Sequence, residues 1–177
     1  MKKAKPVALA IATLMLVSGC ATYRVTHELE RTIQRGSCKV APIADALPAD
    51  LDDEDRPRVS EISNLLTSLE EELRGTGIFT SVEPFDDSSR YMLNATILTF
   101  KRGSGAMRFL IGFGAGNAKV TVDLKLTERE SGDVIFAGNF SQEISNWTEE
   151  GHKMYGKIAS DFANALKTRV GKFGDLK

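Results

Sequence analysis

The stretch KVTVDLKLTE, residues 119–128, alternates between polar and apolar side chains from Lys119 to Leu126. A period of two places successive side chains on opposite faces of a β-strand. The side chains expected inside are Val120, Val122, Leu124 and Leu126, and those expected outside are Lys119, Thr121, Asp123 and Lys125. The stretch therefore predicts a half-buried strand around which a sheet is built.

The sequence on either side of this strand predicts further strands. Residues 130–133, ESGD, are typical of a tight turn, and the strand after them carries Val134, Phe136, Phe140 and Ile144 on one face. Residues 90–101 predict a longer strand. Its two faces are expected to hold Leu93, Ala95 and Ile97 on one side, and Met92, Leu98 and Phe100 on the other. Shorter strands are predicted at 38–43 and 78–85.

Two segments have the spacing of amphipathic helices, with apolar residues every three or four positions. The first carries Val59, Ile62, Leu66, Leu69 and Leu73 on its apolar face. Leu65 flanks this face, and Gly75 and Gly77 predict the end of the helix. The second carries Met154, Ile158, Phe162, Leu166 and Val170, and extends to about Lys172.

These elements predict an α+β fold in the order β-α-β-β-β-β-α. The helix between the first two strands is a crossover connection, which makes those strands parallel. Turns or one loop link the remaining strands, so we expect them to be antiparallel. The prediction is a mixed, mostly antiparallel sheet packed against two amphipathic helices.

The N-terminus has the layout of a secretory signal. Basic residues Lys2, Lys3 and Lys5 precede an apolar run at 7–17, which is too short to span a bilayer comfortably. VSGC, residues 17–20, resembles the lipobox of bacterial lipoproteins. This resemblance implies that residues 1–19 are a signal peptide and that Cys20 is lipidated, with palmitate among its acyl chains.

Several acyl chains on one residue give stable membrane anchoring. In the lipoproteins that this site resembles, an Asp at the second mature position favours retention in the inner membrane. Ala21 occupies that position, so the resemblance implies the outer membrane, with the domain on its periplasmic face. We expect residues 20–36 to be the lipidated cysteine and a polar tether with at most a short ordered piece, and residues 37–173 to form a single domain.

Composition excludes some classes of function. After residue 19 the chain retains 20 basic and 24 acidic residues, a net charge of −4. No basic stripe is present, so we expect no nucleic-acid partner. With Cys20 lipidated, Cys38 has no partner within the chain. We expect it to be a free thiol buried in a strand, with an intermolecular disulfide as the alternative.

Residues 109–118, FLIGFGAGNA, combine apolar side chains with glycines at every second position. A phosphate-binding loop of the dinucleotide type would lead into a helix, whereas this segment leads into a strand. It is therefore predicted as part of a long connection, residues 102–117. The candidate contact residues are Met107, Arg108, Phe109, Leu110, Ile111 and Phe113. The glycines are Gly112, Gly114 and Gly116.

Two interpretations of this connection remain open. Its apolar side chains could fold back over the sheet or a helix end, with the glycines allowing sharp bends. Alternatively, they form a contact surface for a partner protein, for an identical subunit or for the lipid boundary. Long connections of this kind are often functional.

Catalytic patterns are missing from the sequence. His27 lies in the predicted tether and His152 at the start of the last helix, and neither belongs to an HExxH motif. No G-x-S-x-G motif occurs, and Cys38 has no evident histidine partner. We expect that the protein is not an enzyme and binds no cofactor.

An acidic stretch imitates a calcium loop without completing it. Asp50, Asp52, Glu54 and Glu61 fall at positions one, three, five and twelve of an EF-hand-like spacing. Position six, which requires Gly, is Asp55. The pattern indicates a solvated acidic loop, and we expect no metal site.

Residues 107–141, together with the lipobox, resemble a family of uncharacterised Gram-negative lipoproteins that is described as a domain of unknown function. In that family an Arg precedes a Gly-x-Gly-x-Gly segment, an alternating strand and a Ser-Gly or Thr-Gly turn. The matching residues are Arg108, Gly112, Gly114, Gly116, Ser131 and Gly132. The likeness extends over about residues 35–170. It implies a small α+β envelope domain and supplies no catalytic residue that could be assigned to this chain.

The resemblance and the glycine segment together favour a binding role. The first hypothesis is a membrane-anchored module that binds an unknown envelope protein through residues 107–116. The second is a subunit of an envelope or secretion complex, in which the same residues meet copies of the chain. A small-molecule or peptidoglycan-processing enzyme is a third, weaker alternative.

Overall fold

The computed structural model describes residues 21–28, 33–84, 87–103, 117–144 and 147–172. Within these residues it contains seven strands, two α-helices and a short 3-10 helix. In chain order the elements are β1 (Ala21–His27), β2 (Cys38–Val40), β3 (Ala44–Asp45), the 3-10 helix (Asp53–Asp55), α1 (Val59–Thr76), β4 (Val82–Glu83), β5 (Tyr91–Lys101), β6 (Ala118–Glu128), β7 (Val134–Ile144) and α2 (Trp147–Lys172).

The strands form one mixed sheet in the order β1-β7-β6-β5-β2-β4, with β3 also paired to β5. The long strands β5, β6 and β7 are antiparallel, and β2 runs parallel to both β4 and β5. The predicted α+β class is confirmed, as is the parallel pairing across the α1 crossover. The predicted strand at 78–85 is reduced to the two residues of β4, and the one at 38–43 to β2.

Both helices contribute to one hydrophobic core against the sheet. The predicted inner residues of β6 are buried, whereas Lys119, Thr121, Asp123 and Lys125 are partly or fully exposed. The predicted apolar face of α2 is buried along its whole length. Phe162 of α2 packs against Phe136 and Phe140 of β7, with ring centroids 5.7 and 5.5 Å apart. Within the described residues, no helix is both long enough and apolar enough to span a membrane.

The buried face of α1 is rotated from the predicted one. Leu65, Leu69 and Leu73 are fully buried, whereas Ile62 and Leu66 are half-buried. Val59, which was expected on the apolar face, begins the helix and is 81% exposed. The helix rests on α2 and on the short strands β2 and β4, so only its central stripe is covered.

An irregularity near the end of β5 changes which residues face the core. The register between β5 and β6 shifts between Ile97 and Thr99. Leu98 faces outward, as its alternation with Ile97 predicts, and is 39% exposed, whereas the extra residue brings Phe100 onto the buried face. The prediction that Phe100 lies opposite Ile97 is therefore wrong, because a β-bulge interrupts the period of two.

The predicted tether contains a strand. Residues 21–27 form β1, which pairs with β7 from Ala21↔Gln142 to His27↔Ala137. Tyr23 stacks on Phe140 with ring centroids 5.4 Å apart. Ile33, which also lies in the predicted tether, is buried in the core. These residues of the predicted tether belong to the sheet and the core, because β1 completes the sheet at the edge next to β7.

Candidate functional site

The predicted lipidation site, Cys20, and the contact residues 107–116 lie outside the described residues. The structure does describe both ends of the connection that holds the contact residues. We call these ends the loop root, formed by Arg102, Gly103 and Asn117. The candidate functional site consists of the loop root and the elements that hold it in place.

Arg102 follows the last residue of β5 and is held by three groups. Its guanidinium lies over the Phe100 ring, 5.2 Å from the centroid. Its Nη2 donates to the carbonyl oxygen of Arg56 over 2.8 Å and to Oε2 of Glu61 over 2.9 Å. The bulge in β5 contributes to this geometry, because it brings Phe100 to the side of the sheet on which Glu61 lies.

Glu61 joins the loop root to the beginning of α1. It lies in the first turn of the helix, and its Oε2 also accepts the backbone N–H of Arg58. A carboxylate at this end of a helix is stabilised by the free N–H groups and the helix dipole. Only 12% of the Glu61 side chain and 19% of the Arg102 side chain are exposed. This shielding strengthens the ion pair relative to one in water.

Tyr155 of α2 lies close enough to this ion pair to be influenced by both charges. Burial raises the pKa of its hydroxyl above the ordinary value, the Glu61 carboxylate raises it further, and Arg102 lowers it. The tyrosine is 1% exposed. Strand β5, helix α1 and helix α2 therefore meet at the ion pair.

An open cleft of about 520 Å³ lies beside the ion pair. Its lining includes two acidic and two basic side chains, those of Asp53, Asp55, Arg58 and Arg102. The cleft adjoins the loop root on the side of the 3-10 helix. Its mixed charges suit a polar or zwitterionic group, and the described residues of its lining include no nucleophile.

The second end of the loop root is also fixed. Asn117 Nδ2 donates to Oε1 of Glu143 over 3.0 Å, directly before β6 begins. At the first end, Gly103 directly follows Arg102. Its φ is +76°, a backbone conformation that residues with a Cβ rarely adopt. Residues 104–116 therefore start and finish on ordered strands of one sheet.

Cys38 lies in β2, as predicted, and is a free and fully buried thiol. Burial raises its pKa from 9.0 to about 12, partly offset by a backbone hydrogen bond with Leu93. The reactive form of a cysteine is the thiolate, so this thiol is a poor nucleophile. Within the described part of the chain, no group of three or more His, Cys, Asp and Glu side chains is placed to hold a metal ion.

No pattern in the sequence marks Arg102, Arg58 or Tyr155 as functional residues. Arg58 occupies the N-cap of α1, where the usual Ser, Thr, Asp or Asn would have signalled a capping residue. The sequence does not indicate the ion pair of Arg102, since its partner Glu61 is 41 residues away. Glu61 was considered only as a calcium ligand, and the structure instead places it in the ion pair.

Several solved structures share the fold. The chain is similar to PelC from Paraburkholderia phytofirmans, described as a dodecamer, at 16% identity and a TM-score of 0.52, covering 79% of this chain and 95% of PelC. It is similar to protein XCC0632 from Xanthomonas campestris at 14% identity and a TM-score of 0.54, covering 86% and 95% of the two chains. Lipoprotein GNA1162 from Neisseria meningitidis matches at 13% identity and a TM-score of 0.45, with 73% and 95% covered.

These identities are low, and the likeness therefore establishes the fold alone. No protein with a curated description matches the chain. A family model described as "Domain of unknown function (DUF4410)" matches residues 39–161, most of the chain. The matched range includes the predicted contact residues and the turn at Ser131 and Gly132. The expectation of a family described as a domain of unknown function is confirmed, and the chain belongs to the DUF4410 family.

Proposed function

We propose that this protein is a lipoprotein of the Gram-negative cell envelope that acts as a protein-binding module. Lipidated Cys20 anchors it in the outer membrane, and the folded domain faces the periplasm. Its contact surface is the segment 107–116, which we call the contact loop. The partner is another protein of the envelope.

The anchor is supported by the N-terminal sequence. A basic lead, a short apolar run and VSGC at residues 17–20 follow one another in the order that lipoprotein processing requires. Multiple acyl chains on Cys20 would hold the protein stably at a membrane. In this proposal the first mature residue is Cys20, and the sheet starts at the next position.

The observation that carries the binding role is the construction of the loop root. Arg102 is held by Glu61 and by the carbonyl of Arg56, and Asn117 is held by Glu143. Binding loops are commonly displayed on a scaffold that fixes their ends. Five large apolar side chains within the contact loop provide the surface that a partner would cover.

A binding role also agrees with the chemistry of the described residues. The buried thiol of Cys38 has its pKa raised to about 12, and the cleft is lined by charged side chains without a nucleophile. Among the described residues, neither the surroundings of Cys38 nor the lining of the cleft combines a nucleophile with a base. We therefore propose that the protein works by binding and not by catalysis.

A second candidate is a self-assembling subunit of an envelope or secretion complex. The observation in its favour is that PelC, which shares the fold, is described as a dodecamer. In this alternative the contact loop meets copies of the same chain. Both candidates use the same residues and differ in the identity of the partner.

Site-specific photo-crosslinking in living cells distinguishes these candidates. A photoreactive amino acid replaces Phe109 or Phe113 in the contact loop, and mass spectrometry identifies the adducts. A matched control places the same amino acid at Glu130, an exposed residue in the turn between β6 and β7. A discrete adduct with another protein, from the loop positions only, supports the binding module.

Two other crosslinking outcomes would not support the binding module. A ladder of self-adducts supports the assembly subunit. If a folded protein yields no adduct from either loop position, the contact loop is covered by its own domain and the proposed function is wrong.

A further inference from the structure

One end of the sheet gathers several functionally distinct parts of the chain. The strand register pairs Ala21 with Gln142, Ala118 with Ile144, and Lys101 with Lys119. The start of β1, the end of β7 and both ends of the loop root therefore lie at the same end of the sheet. We call this the anchor end, and the turn between β6 and β7 marks the opposite end.

The chain leaves no spacer between the proposed anchor and the sheet. Cys20 precedes Ala21, and consecutive Cα atoms are about 3.8 Å apart. Three strand spacings separate β1 from β5, which is about 14 Å across the sheet. If Cys20 carries acyl chains in a bilayer, the loop root is held within a short distance of the lipid headgroups.

The charge of the chain at the anchor end suits an anionic surface. From Lys101 to Lys119 inclusive the sequence contains four basic residues, of which Arg102 is paired with Glu61, and no acidic residue, although the chain after residue 19 has a net charge of −4. The Lys101 side chain is exposed and that of Lys119 is half-buried. Basic residues next to a membrane are attracted to anionic phospholipids, and apolar side chains beside them favour the interface.

Acidic side chains also occur at the anchor end. Exposed Glu143 of β7 lies opposite Lys119 in the register and accepts a hydrogen bond from Asn117 Nδ2. Asp53 and Asp55 line the cleft next to Arg102, at the end of β5. This region is on the side of β5 away from β6, β7 and β1. The strands nearest to Cys20 therefore lie on the side away from Asp53 and Asp55, and Lys101 and Lys119 offset the charge of Glu143 there.

We propose that the anchor end is a phospholipid-contacting surface, with Lys101 and Lys119 at the anionic headgroups of the membrane that holds Cys20. This inference rests on the lipid anchor of the proposed function and deepens it, because the contact loop then meets its partner at the bilayer surface. The partner that contacts the anchor end is the lipid bilayer, and the strands stand upright or tilted relative to its surface.

Fluorescence quenching of the lipidated protein tests this orientation. The protein, with acylation of Cys20 established by intact mass, is reconstituted into vesicles of phosphatidylethanolamine and phosphatidylglycerol with shallow brominated acyl chains. Trp147 is the only tryptophan in the sequence, and it begins α2, three residues after Ile144 at the anchor end. We expect brominated lipid to quench Trp147.

The matched control places a tryptophan at the opposite end. Trp147→Phe combined with Glu130→Trp moves the only indole to the turn beyond β6, about 35 Å along the strands. We expect no quenching there. If both positions are quenched equally, the domain lies on its side. If neither is quenched, the domain stands away from the bilayer. Either result overturns the inference.

Charge reversal tests the two lysines. Lys101→Glu with Lys119→Glu is expected to weaken the quenching of Trp147, whereas Lys125→Glu, nearer the opposite end of β6, leaves it unchanged. Equal quenching in all three proteins would exclude headgroup contact by Lys101 and Lys119. Circular dichroism checks that each variant is folded.

The outcomes also separate this inference from the proposed function. A protein adduct from Phe109 without quenching of Trp147 keeps the binding module and rejects the membrane contact. Quenching without any protein adduct keeps the membrane contact and rejects the binding module. A chain without acyl mass at Cys20 contradicts both, because each depends on the anchor.

Discussion

Arg102 and Glu61 lie 41 residues apart in the sequence and form an ion pair in which Arg102 Nη2 and Glu61 Oε2 are 2.9 Å apart. The pair connects the end of β5 to the first turn of α1, next to buried Tyr155. It therefore fixes one end of the loop root to the helical layer. Its contribution can be measured separately from any binding partner.

Arg102→Ala is expected to destabilise the domain by about 1–3 kcal/mol, because it leaves a shielded carboxylate without its charged partner. Urea unfolding at neutral pH measures the change. Arg169→Ala is the control, since Arg169 pairs over 2.7 Å with Glu28, whose side chain is 60% exposed. Exposed pairs contribute about 0–1 kcal/mol. A double-mutant cycle with Glu61→Gln should give a non-zero coupling energy, and strictly additive effects would contradict the ion pair.

Gly138→Ala is expected to loosen β1 from the sheet. A Cβ at this position in β7 would lie 2.9 Å from the carbonyl oxygen of Arg24 and 3.3 Å from Cα of Val25. Because both contacts are with backbone, relief requires β1 to move. Limited proteolysis should then cleave residues 21–28 faster. Gly156→Ala in α2 is the control, since a Cβ there meets nothing within 4 Å, and cleavage unaffected by Gly138→Ala would contradict the pairing.

Stability is expected to fall at alkaline pH because of Cys38. Burial raises the pKa of this thiol from 9.0 to about 12, so the unfolded chain loses its proton first. The folded state then binds more protons than the unfolded state, and the free energy of unfolding decreases as pH rises from about 9 to 12. Below pH 9 this contribution is fully present. Urea midpoints at pH 7, 9 and 11 should decline less in Cys38→Ala than in the original protein, and parallel declines would contradict the assignment.

Asp161→Asn is expected to raise the melting temperature at pH 7. Desolvation raises the pKa of the Asp161 carboxyl above 3.8, although a hydrogen bond from Gln142 Nε2 at 2.7 Å opposes this shift. A raised carboxyl pKa means that stability falls as pH rises through the folded pKa, so the charged form is a cost at pH 7. The amide keeps an acceptor for Gln142 without the charge.

The pH dependence supplies the control for this substitution. As pH falls through the raised pKa of Asp161 the original side chain becomes neutral, so its melting temperature should approach that of Asp161→Asn. Gln142→Leu removes the opposing hydrogen bond and should not reproduce the gain. A lower melting temperature of Asp161→Asn at pH 7 would contradict the desolvation argument.

The parts of the fold that follow from local patterns could be predicted from the sequence. The alternation in β6 and the three- and four-residue spacing in α2 agree with the observed burial, because each reflects one continuous face. The predictions fail where contacts with a distant part of the chain determine the structure. The β5 bulge turns Phe100 inward, and the alternation of polar and apolar residues in the sequence does not indicate the bulge.

The first strand was missed for a similar reason. Tyr23 and Val25 alternate with polar residues, but the segment is short and follows the lipobox, so a tether was the simpler interpretation. Its pairing with β7 depends on Gly138, more than 100 positions further along the chain. The ion pair between Arg102 and Glu61 was not predicted either, since neither side chain belongs to a motif. Pairs of residues this far apart in the sequence can be identified only from the three-dimensional structure.

The most direct test of the central claim is the yield of crosslinked protein from Phe109 in living cells. We expect one discrete adduct with an envelope protein in the original chain, and a lower yield when Arg102→Ala releases the loop root. The same probe at Glu130 should give no such adduct. A folded protein that forms no adduct from Phe109, or that forms the same adduct from Glu130, would contradict a binding function of the contact loop.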